Sequence, residues 1–381
     1  MILAGNWLTH PGTQGLCKAL ELAEYRALFV GGCVRNAILG VPVADIDFAT
    51  DATPDVVTQI AESAGFKVVP TGIDHGTVTV VAKGLPHEVT TFRRDVETDG
   101  RRAVVAFSTL IDEDAARRDL TMNALYADAS GKVIDPLGGL ADTLARRVRF
   151  VGDPETRIRE DYLRILRFFR FHAAYGDPEG GLDAEGLAAC AALSDGLTAV
   201  SPERIGAEMR KLLAARDPAP AVGAMAAAGV LARILPGADP RALAPLVHLE
   251  AGRPPVWLRR LVVLGGKSVA ETLRLSRVEA RSLAALQDAI GGMDAPAALG
   301  WKLGADLGRD AMLARAAILE QPLPEAWEAE TARGADARFP VAAADLMPGL
   351  SGEALGARLK ALEAKWLASG LRPDREALLK P

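Results

Sequence analysis

The distribution of hydrophobic and polar residues changes near residue 150. Up to that point, short β-branched or apolar runs alternate with helical stretches, and the runs at 27–30, 66–69 and 77–81 predict strands. From about residue 155 onward, Ala, Leu, Arg and Glu recur at helical spacing, interrupted by Pro and Gly clusters at 217–220 and 252–255. The pattern predicts an α/β or α+β part followed by an all-helical part, and we expect the α+β class.

The composition indicates a globular chain of more than one packed unit. Its 381 residues exceed what one hydrophobic core usually supports, and 49% apolar with 24% charged residues is typical of soluble proteins. No segment stays uncharged for the ~18 residues of a bilayer span, and the N-terminus lacks a basic start followed by an apolar run. A cytoplasmic protein with no membrane segment is expected.

The net charge and the positions of cysteine and histidine exclude several classes of protein and metal site. The net charge of −5 argues against indiscriminate coating of nucleic acid, but arginine is concentrated between residues 93 and 170, which allows a local basic surface. Cys17, Cys33 and Cys190 form no CxxC pair, and the five histidines are scattered without an HD-type pair. Neither a disulfide framework nor a zinc site is indicated.

A glycine pair follows the first predicted strand, within the segment from Leu28 to Gly40. Without side chains, Gly31 and Gly32 let backbone N–H groups approach a phosphate, and the following helix start adds a favourable dipole. Arg35 lies one turn further along. Taken alone, two glycines after a strand are usually a tight turn.

Two aspartates, Asp45 and Asp47, follow a few residues downstream. Strand residues two apart point to one face, so both carboxylates are expected to project together. Such like charges repel and lose solvation unless a cation lies between them. Mg²⁺ held there could activate a 3′-hydroxyl and bridge nucleotide phosphates, the two-metal logic of polymerases. A bare DxD is more often a solvated turn, but its place after a strand, a glycine pair and a helix favours a metal site.

This arrangement resembles the head of the class II CCA-adding enzymes and of the related poly(A) polymerases. The segments 75–80 and 88–93 resemble the next two strands of that family. The resemblance implies a mixed sheet with helices for the head. Glu88 could supply a third carboxylate near the metal ions, or be a solvated strand residue.

The segment from Asp99 to Arg102 resembles the flexible loop of full CCA-adding enzymes, which helps the site switch from C to A addition. Family members often have an aromatic residue where this chain has Thr98, and proline where it has Ala103. Asn36 also stands where the family usually carries aspartate. An amide keeps the size and hydrogen bonding of a carboxylate but not its charge.

The octet from Arg117 to Ala124 matches the RRDxTxNA motif of the family. The resemblance implies that Arg118 and Asp119 hold the phosphates and ribose of the nucleotide, and that Asn123 fixes the local turn. Standing alone, the octet would indicate a charged helix end. The segment 135–139, with Asp142, resembles the turn that closes the head.

The segment 160–171 is strongly helical in pattern. Asp161 and Arg164 are three apart and would share a helix face, where an acceptor and a donor could read the Watson–Crick edge of cytosine or adenine. The EDxxR motif of the family has this role, and Arg167 is counted with the nucleotide-binding residues. The alternative is an ordinary intrahelical ion pair. The segment from Ser201, with Arg204 and Glu208, resembles the neck of the family and is interpreted as a brace.

These observations combine into one division of the chain and one function. We expect a catalytic head at 1–150, a helical neck for nucleobase selection at 151–215, and a helical body and tail at 216–381. The resemblance implies addition of CCA to the 3′ end of tRNA from CTP and ATP, with Mg²⁺ as cofactor and pyrophosphate released. The tail would grip the acceptor and TΨC arms of tRNA by backbone shape and charge, and no protein partner is implied.

Two other functions remain open at this point. A poly(A) polymerase, or an enzyme that adds only CC or only A, would use the same chemistry. A non-catalytic RNA-binding protein on the same scaffold is disfavoured, because Asp45 and Asp47 would repel the phosphates that such a protein binds.

Overall fold

The protein folds into two compact units. The structure, a computed structural model, describes residues 1–73, 76–98, 103–347 and 349–380. The first unit, called the head unit, comprises Met1–Val200 and Ala228–Arg233, and the second, called the helical unit, comprises Ser201–Ala227 and Ile234–Pro381. Among the described residues, no helix is both long enough and apolar enough to cross a bilayer.

A seven-stranded mixed sheet forms the centre of the head unit. Its order is β3-β4-β5-β2-β1-β8-β9, with β2 and β5 parallel and every other neighbouring pair antiparallel. Strands β6 and β7 form a separate antiparallel pair. The strands are β1 (Leu28–Val30), β2 (Asp47–Thr50), β3 (Lys67–Gly72), β4 (Thr77–Ala82), β5 (Leu85–Thr91), β6 (Arg93–Thr98), β7 (Ala103–Phe107), β8 (Tyr126–Ala127) and β9 (Val133–Ile134).

The burial pattern explains which runs became central strands. β4 alternates strictly, with Val78 and Val80 buried, as expected for a strand with one covered face. β1 and the last three residues of β2 are buried throughout, because both faces of the sheet centre are covered. Phe29 and Phe48 pack there with ring centroids 4.7 Å apart. This core fixes the ends of β1 and β2, where the candidate chemistry lies.

Helices surround the sheet in the head unit. The glycine turn after β1 leads directly into a helix, as the sequence predicted. The helices are α1 (Asn6–Thr9), α2 (Pro11–Leu22), α3 (Gly32–Leu39), α4 (Pro54–Ser63), α5 (Ile111–Ala116), α6 (Gly139–Leu144), α7 (Pro154–Glu160), α8 (Leu163–Tyr175) and α9 (Ala184–Ala192), with 3₁₀ turns at Thr121–Asn123 and Ser194–Ala199.

The rest of the chain is helical, and no strand follows Ile134 within the described ranges. The prediction of an α+β head followed by helices is therefore confirmed. The helices are α10 (Pro202–Leu213), α11 (Ala219–Ala227), α12 (Val230–Ile234), α13 (Leu243–Glu250), α14 (Trp257–Leu264), α15 (Val269–Thr272), α16 (Arg277–Gly291), α17 (Pro296–Leu319), α18 (Trp327–Asp336), α19 (Gly352–Ala368) and α20 (Arg375–Leu379), with a 3₁₀ turn at Ala343–Asp345.

A buried charge cluster ties the helical unit together. Arg260 and Arg259 both donate to Glu250, and Arg259 also pairs with Asp310 at 2.6 Å. Arg260 further donates to the carbonyl oxygen of Leu213, at the last residue of α10. These paired charges join α10, α13, α14 and α17, because a buried charge is tolerated only where partners satisfy it.

Candidate active site

A strained glycine turn opens the site between β1 and α3. Gly31 has φ +67° and ψ −116°, a conformation that side chains disfavour. Its N–H donates to Leu125 O at 3.1 Å. A β-carbon built on Gly31 would lie 3.5 Å from Nη1 of Arg118, so this guanidinium lies directly against the turn. Backbone and cation together form a surface suited to an anion.

Acidic residues gather where β2 begins beside β5. Asp47 and Glu88 are register partners in this parallel pair, so their side chains leave the same face of the sheet. Burial, together with the carboxylates of Glu88 and Asp45, raises the pKa of Asp47 to about 6. We call Asp45, Asp47 and Glu88 the acidic corner. Its members repel one another, which a bound cation would relieve.

The position of Asp45 differs from the prediction that both aspartates lie in a strand. β2 begins at Asp47, and Asp45 is an exposed residue just before it. The pairing explains the difference, because the last backbone hydrogen bond toward β5 is accepted by Ile46 O, from Glu88 N. The electrostatic effect of Asp45 on Asp47 still identifies it as a neighbour.

The acidic corner fits a magnesium ion better than a softer metal. All three side chains offer hard carboxylate oxygens, which Mg²⁺ prefers. Within the described part of the chain, no three Asp, Glu, His or Cys side chains converge into a ready-made metal cage. Mg²⁺ usually takes one or two protein carboxylates and completes its shell with water and substrate phosphates.

Asp114, which the sequence analysis missed, holds Arg118 in place. Its carboxylate is 1% exposed and accepts from Arg118 Nη2 at 2.8 Å and from the Tyr126 hydroxyl at 2.7 Å. Burial alone would raise the pKa of Asp114, but Arg118 and Tyr126 hold it below its usual range. The i, i+4 spacing of Asp114 and Arg118 was the available signal.

Asp119 and Asn123 belong to a continuous chain of hydrogen bonds. Arg167 Nε donates to Asp119 Oδ2 at 2.6 Å, and Asn123 Nδ2 donates to Asp119 Oδ1 at 3.0 Å. Arg35 Nη1 then donates to Asn123 Oδ1 at 2.6 Å. Burial would raise the pKa of Asp119, but Arg167 and Asn123 hold it low. These hydrogen bonds connect four predicted site residues that lie far apart in the sequence.

Arg35 turns toward α8. Its side chain is 6% exposed, Nη2 donates to the Tyr175 hydroxyl at 2.9 Å, and the guanidinium lies 4.0 Å from the centre of the Tyr175 ring. Burial lowers the pKa of Arg35, since it disfavours the charged form. The predicted phosphate contact of Arg35 stays a prediction, whereas its bracing of α8 is observed. No local pattern could have identified Tyr175 as the partner.

Asn36 uses both ends of its amide. Its Oδ1 accepts from Arg35 Nε at 3.2 Å and Nη2 at 2.8 Å, while its Nδ2 donates to Pro42 O at 2.9 Å. A carboxylate could accept from Arg35 but could not donate to Pro42. The departure from aspartate at this position therefore ties α3 to the segment that leads into the acidic corner.

The segment 160–171 is not one helix, which corrects the sequence prediction. α7 ends at Glu160 and α8 begins at Leu163, and between them Asp161 has an extended backbone with φ −156° and ψ 104°. Asp161 Oδ1 accepts from Leu163 N at 3.1 Å, so the side chain competes for the backbone and interrupts the helix. Asp161 and Arg164 thus do not share a helix face.

Arg164 is fixed by other partners. Its Nη1 pairs with Glu160 and donates to Arg157 O at 3.0 Å, and Nη2 donates to Arg117 O at 3.2 Å. Arg157 donates to Ala116 O at 3.0 Å. Two arginines therefore cap the carbonyl groups at the end of α5, a favourable place for cations. Glu160, four residues before Arg164, is a partner that the sequence analysis did not name.

The remaining sequence predictions fall in three places. Asp135 accepts from Gly139 N and Leu140 N at 2.8 and 3.0 Å, and Thr121 donates to Asp142 at 3.0 Å, so this segment is a tightly bonded turn. α10 begins at Pro202 after Ser201, as predicted. His75 and the predicted loop 99–102 lie outside the described residues.

Two family models match the chain. One describes the poly A polymerase head domain and matches residues 27–149. The other describes a probable RNA and SrmB-binding site of polymerase A and matches residues 182–241. The first covers the glycine turn, the acidic corner and the segment around Arg118.

Curated relatives match about half of the chain. The mitochondrial CCA tRNA nucleotidyltransferase 1 of Mus musculus is 43% identical over 205 residues, which are 53% of this chain and 47% of the relative. The CCA-adding enzyme of Bacillus pumilus is 44% identical over 194 residues, which are 50% and 47% of the two chains. The chain thus spans about half the length of the curated relatives it matches.

A solved structure extends the similarity to nearly the whole chain. The CCA-adding enzyme of Bacillus stearothermophilus in complex with CTP superposes with a TM-score of 0.76 at 30% identity, over 94% of this chain and 92% of that one. The CCA-adding enzyme of Thermotoga maritima complexed with tRNA has a TM-score of 0.71 at 19% identity, which supports the fold alone. Because the match to the Bacillus stearothermophilus enzyme has 30% identity and covers 92% of that chain, this chain belongs to the family of class II CCA-adding enzymes.

Proposed function

We propose that this protein adds CCA to the 3′ end of tRNA from CTP and ATP, without a template and with release of pyrophosphate. One observation carries the proposal: the mutually repelling acidic corner is electrostatically coupled to Arg118, which lies against the glycine turn. A site for cations thus adjoins a site for phosphates. Nucleotidyl transfer needs both, because its catalysis is mainly positioning and charge neutralisation.

In this proposal Asp45 and Asp47 hold Mg²⁺, and Glu88 is a further carboxylate beside them. When bound, the metal would lower the pKa of the 3′-hydroxyl and neutralise charge at the phosphates. Asp47 must be ionised to hold a cation, although burial and its acidic neighbours raise its pKa to about 6. At neutral pH the carboxylate form prevails.

The phosphates would lie against Gly31 and Gly32. Arg118 faces this turn with its charge held in a fixed direction by Asp114. Asp119, with Arg167 and Asn123 as partners, forms the adjacent polar surface assigned to the ribose. We assign Arg35 to the support of this surface, since its guanidinium already donates to Asn123 and Tyr175.

Base selection would fall to Asp161 and Arg164. Asp161 lies at the joint between α7 and α8, and Arg164 lies in the first turn of α8. The contact of Arg164 with Arg117 O brings this joint to the segment that carries Arg118 and Asp119. A rigid acceptor and a rigid donor can discriminate bases as a template base does, because an unpaired buried polar group is costly. The helical unit, which has exposed cationic side chains such as Arg277, Arg281 and Lys360, is assigned to the tRNA acceptor and TΨC arms.

In the test, purified protein and Mg²⁺ are incubated with one of three tRNA substrates and labelled CTP or ATP. The three tRNAs end at the discriminator base, at C, or at CC. We expect two C residues and then one A. Addition of A alone, of C alone, or of a long A tail would assign the protein to the partial enzymes or the poly(A) polymerases. No incorporation into any substrate would instead favour a non-catalytic RNA-binding protein.

A further inference from the structure

A steric contact underlies the joint that carries Asp161. Gly196 lies in the 3₁₀ turn Ser194–Ala199, in the same unit as α7 and α8. A β-carbon built on Gly196 would lie 2.0 Å from both Cδ1 and Cε1 of Tyr162 and 2.5 Å from its Cγ. The ring of Tyr162 therefore rests directly on the backbone of Gly196.

The backbone conformation does not require glycine here. Gly196 is absent from the glycines with positive φ, so an alanine could adopt the same backbone angles. Glycine is required at position 196 only because the Tyr162 ring leaves no room for a side chain. Because Cγ is bonded directly to Cβ, the ring cannot clear an added methyl by turning about its own axis. Either χ1 of Tyr162 or the backbone at the joint has to move.

The joint transmits such a movement to Asp161. Tyr162 has a helical backbone with φ −61° and ψ −18°, whereas Asp161 before it is extended. Asp161 O accepts from Arg164 N at 3.0 Å, and Tyr162 O accepts from Ile165 N at 3.1 Å. These bonds and the Asp161 side-chain bond to Leu163 N leave the short segment 161–162 with little freedom. A displaced Tyr162 would therefore re-aim the Asp161 carboxylate.

We propose that Gly196 and Tyr162 form a positioning contact that sets the direction of Asp161 and thereby the choice of nucleobase. The inference rests on the proposed function, in which Asp161 and Arg164 read the base. Tyr162 and Gly196 touch neither nucleotide nor metal in this account. They act on selectivity through Asp161, while the acidic corner carries the chemical step.

The experiment measures kcat/KM for ATP and for CTP on tRNA ending in CC, with full-length protein. Gly196→Ala is expected to lower the ATP-over-CTP ratio by about tenfold, the size of a small misplacement in a recognition site. The KM for tRNA should stay unchanged. Gly72→Ala in β3 is the matched control, because its added methyl would meet Thr77 at an ordinary 3.6 Å. An unchanged ratio in folded Gly196→Ala overturns the proposal.

A double-mutant cycle tests whether the ring transmits the effect. Tyr162→Ala alone should lower the ratio, and Gly196→Ala added to Tyr162→Ala should change it no further, because no ring remains to be displaced. Tyr162→Phe keeps the ring and should keep the ratio. A full additional effect of Gly196→Ala without the ring would contradict the mechanism. If Gly196→Ala does not fold, Tyr162→Ala against Tyr162→Phe carries the same test, and equal ratios overturn the proposal.

Asp161→Ala separates this proposal from the proposed function. If Asp161→Ala leaves the ATP-over-CTP ratio unchanged, base selection by Asp161 fails and the inference fails with it. If Asp161→Ala changes the ratio but Gly196→Ala and Tyr162→Ala do not, the function stands and only the positioning contact is refuted. Circular dichroism and thermal unfolding of each variant show that the compared proteins are folded.

Discussion

An aspartate in the acidic corner and the aspartates that pair with arginine have pKa values shifted in opposite directions. Asp47 has acidic neighbours, and burial together with them raises its pKa to about 6. Asp114 and Asp119 are also buried, yet Arg118 and Arg167 beside them hold their pKa values low. Burial acts in the same direction on all three. The neighbouring charge decides the outcome.

The difference separates groups that hold the fold from groups held ready for a ligand. A paired buried carboxylate stabilises the folded state, since its partner arginine would otherwise lose a counter-charge. A carboxylate among like charges destabilises the folded state until a cation arrives. Asp47 is thus expected to matter for activity and Asp114 for stability. Three experiments test this division, and a fourth tests the contact between Arg35 and Tyr175.

The largest effect is expected for Asp47→Asn. Removal of the charge should lower nucleotide addition by roughly 1000-fold or more, because a metal-held charge contributes several kcal/mol at the transition state. Single-turnover incorporation of labelled CTP into tRNA measures it. Asp55→Asn, at an exposed position in α4, is the control. The free energy of unfolding of Asp47→Asn should not fall, and a large loss of stability would contradict the division.

Asp114→Ala should instead lower the stability of the folded state. It leaves the half-buried Arg118 without its carboxylate, which costs up to ~3–5 kcal/mol in the free energy of unfolding. Urea denaturation followed by circular dichroism measures the loss. Asp112→Ala, an exposed position of the same helix, should change stability little. A loss below about 1 kcal/mol for Asp114→Ala would mean that the pair with Arg118 is not important for folding.

The pH dependence of stability should identify Asp47 in chelated protein. Its folded pKa of about 6 lies above the ordinary value of 3.8, so the folded state keeps a proton that the unfolded chain has released. The resulting stabilisation is present below pH 4 and is lost as the pH rises through 6, by about 1–2 kcal/mol after solvent screening. Urea titrations at several pH values, with Asp47→Asn as reference, measure it. Equal slopes for both proteins would refute the raised pKa.

The smallest effect is expected at the contact between Arg35 and Tyr175. Tyr175→Phe removes the hydroxyl that accepts from Arg35 but keeps the ring that its guanidinium stacks on. The loss in the free energy of unfolding should be about 1 kcal/mol, as for a typical single hydrogen bond. Thermal unfolding measures it. A change in nucleotide selectivity without loss of stability would instead assign Arg35 a direct contact with the nucleotide.

The sequence was informative wherever local spacing carried the signal. The strand, glycine pair and helix from Leu28 onward follow from short-range pattern, and so do strand β4 and the change to helices after residue 150. Asp114 with Arg118 and Glu160 with Arg164 could also have been predicted, because pairs four residues apart meet within one turn.

Other features have no local signature. Arg35 and Tyr175 are 140 positions apart, and Asp119 and Arg167 are 48 apart. The helical pattern at 160–171 did not reveal the break at Asp161. There, a hydrogen bond from the Leu163 backbone to the Asp161 side chain outweighs the helix propensity of the segment. The contact of Tyr162 with Gly196 depends on packing between segments that the sequence does not connect.

By itself, the sequence determined the classes of element, the aspartates Asp45 and Asp47 and the glycine turn before them, since these depend on the spacing of neighbouring residues. The place of Glu88 beside Asp47 depends on the pairing of β2 with β5. Only the tertiary structure decided which aspartates would be paired and which would repel. The reason is that a buried charge takes its properties from whichever groups folding brings within a few ångströms.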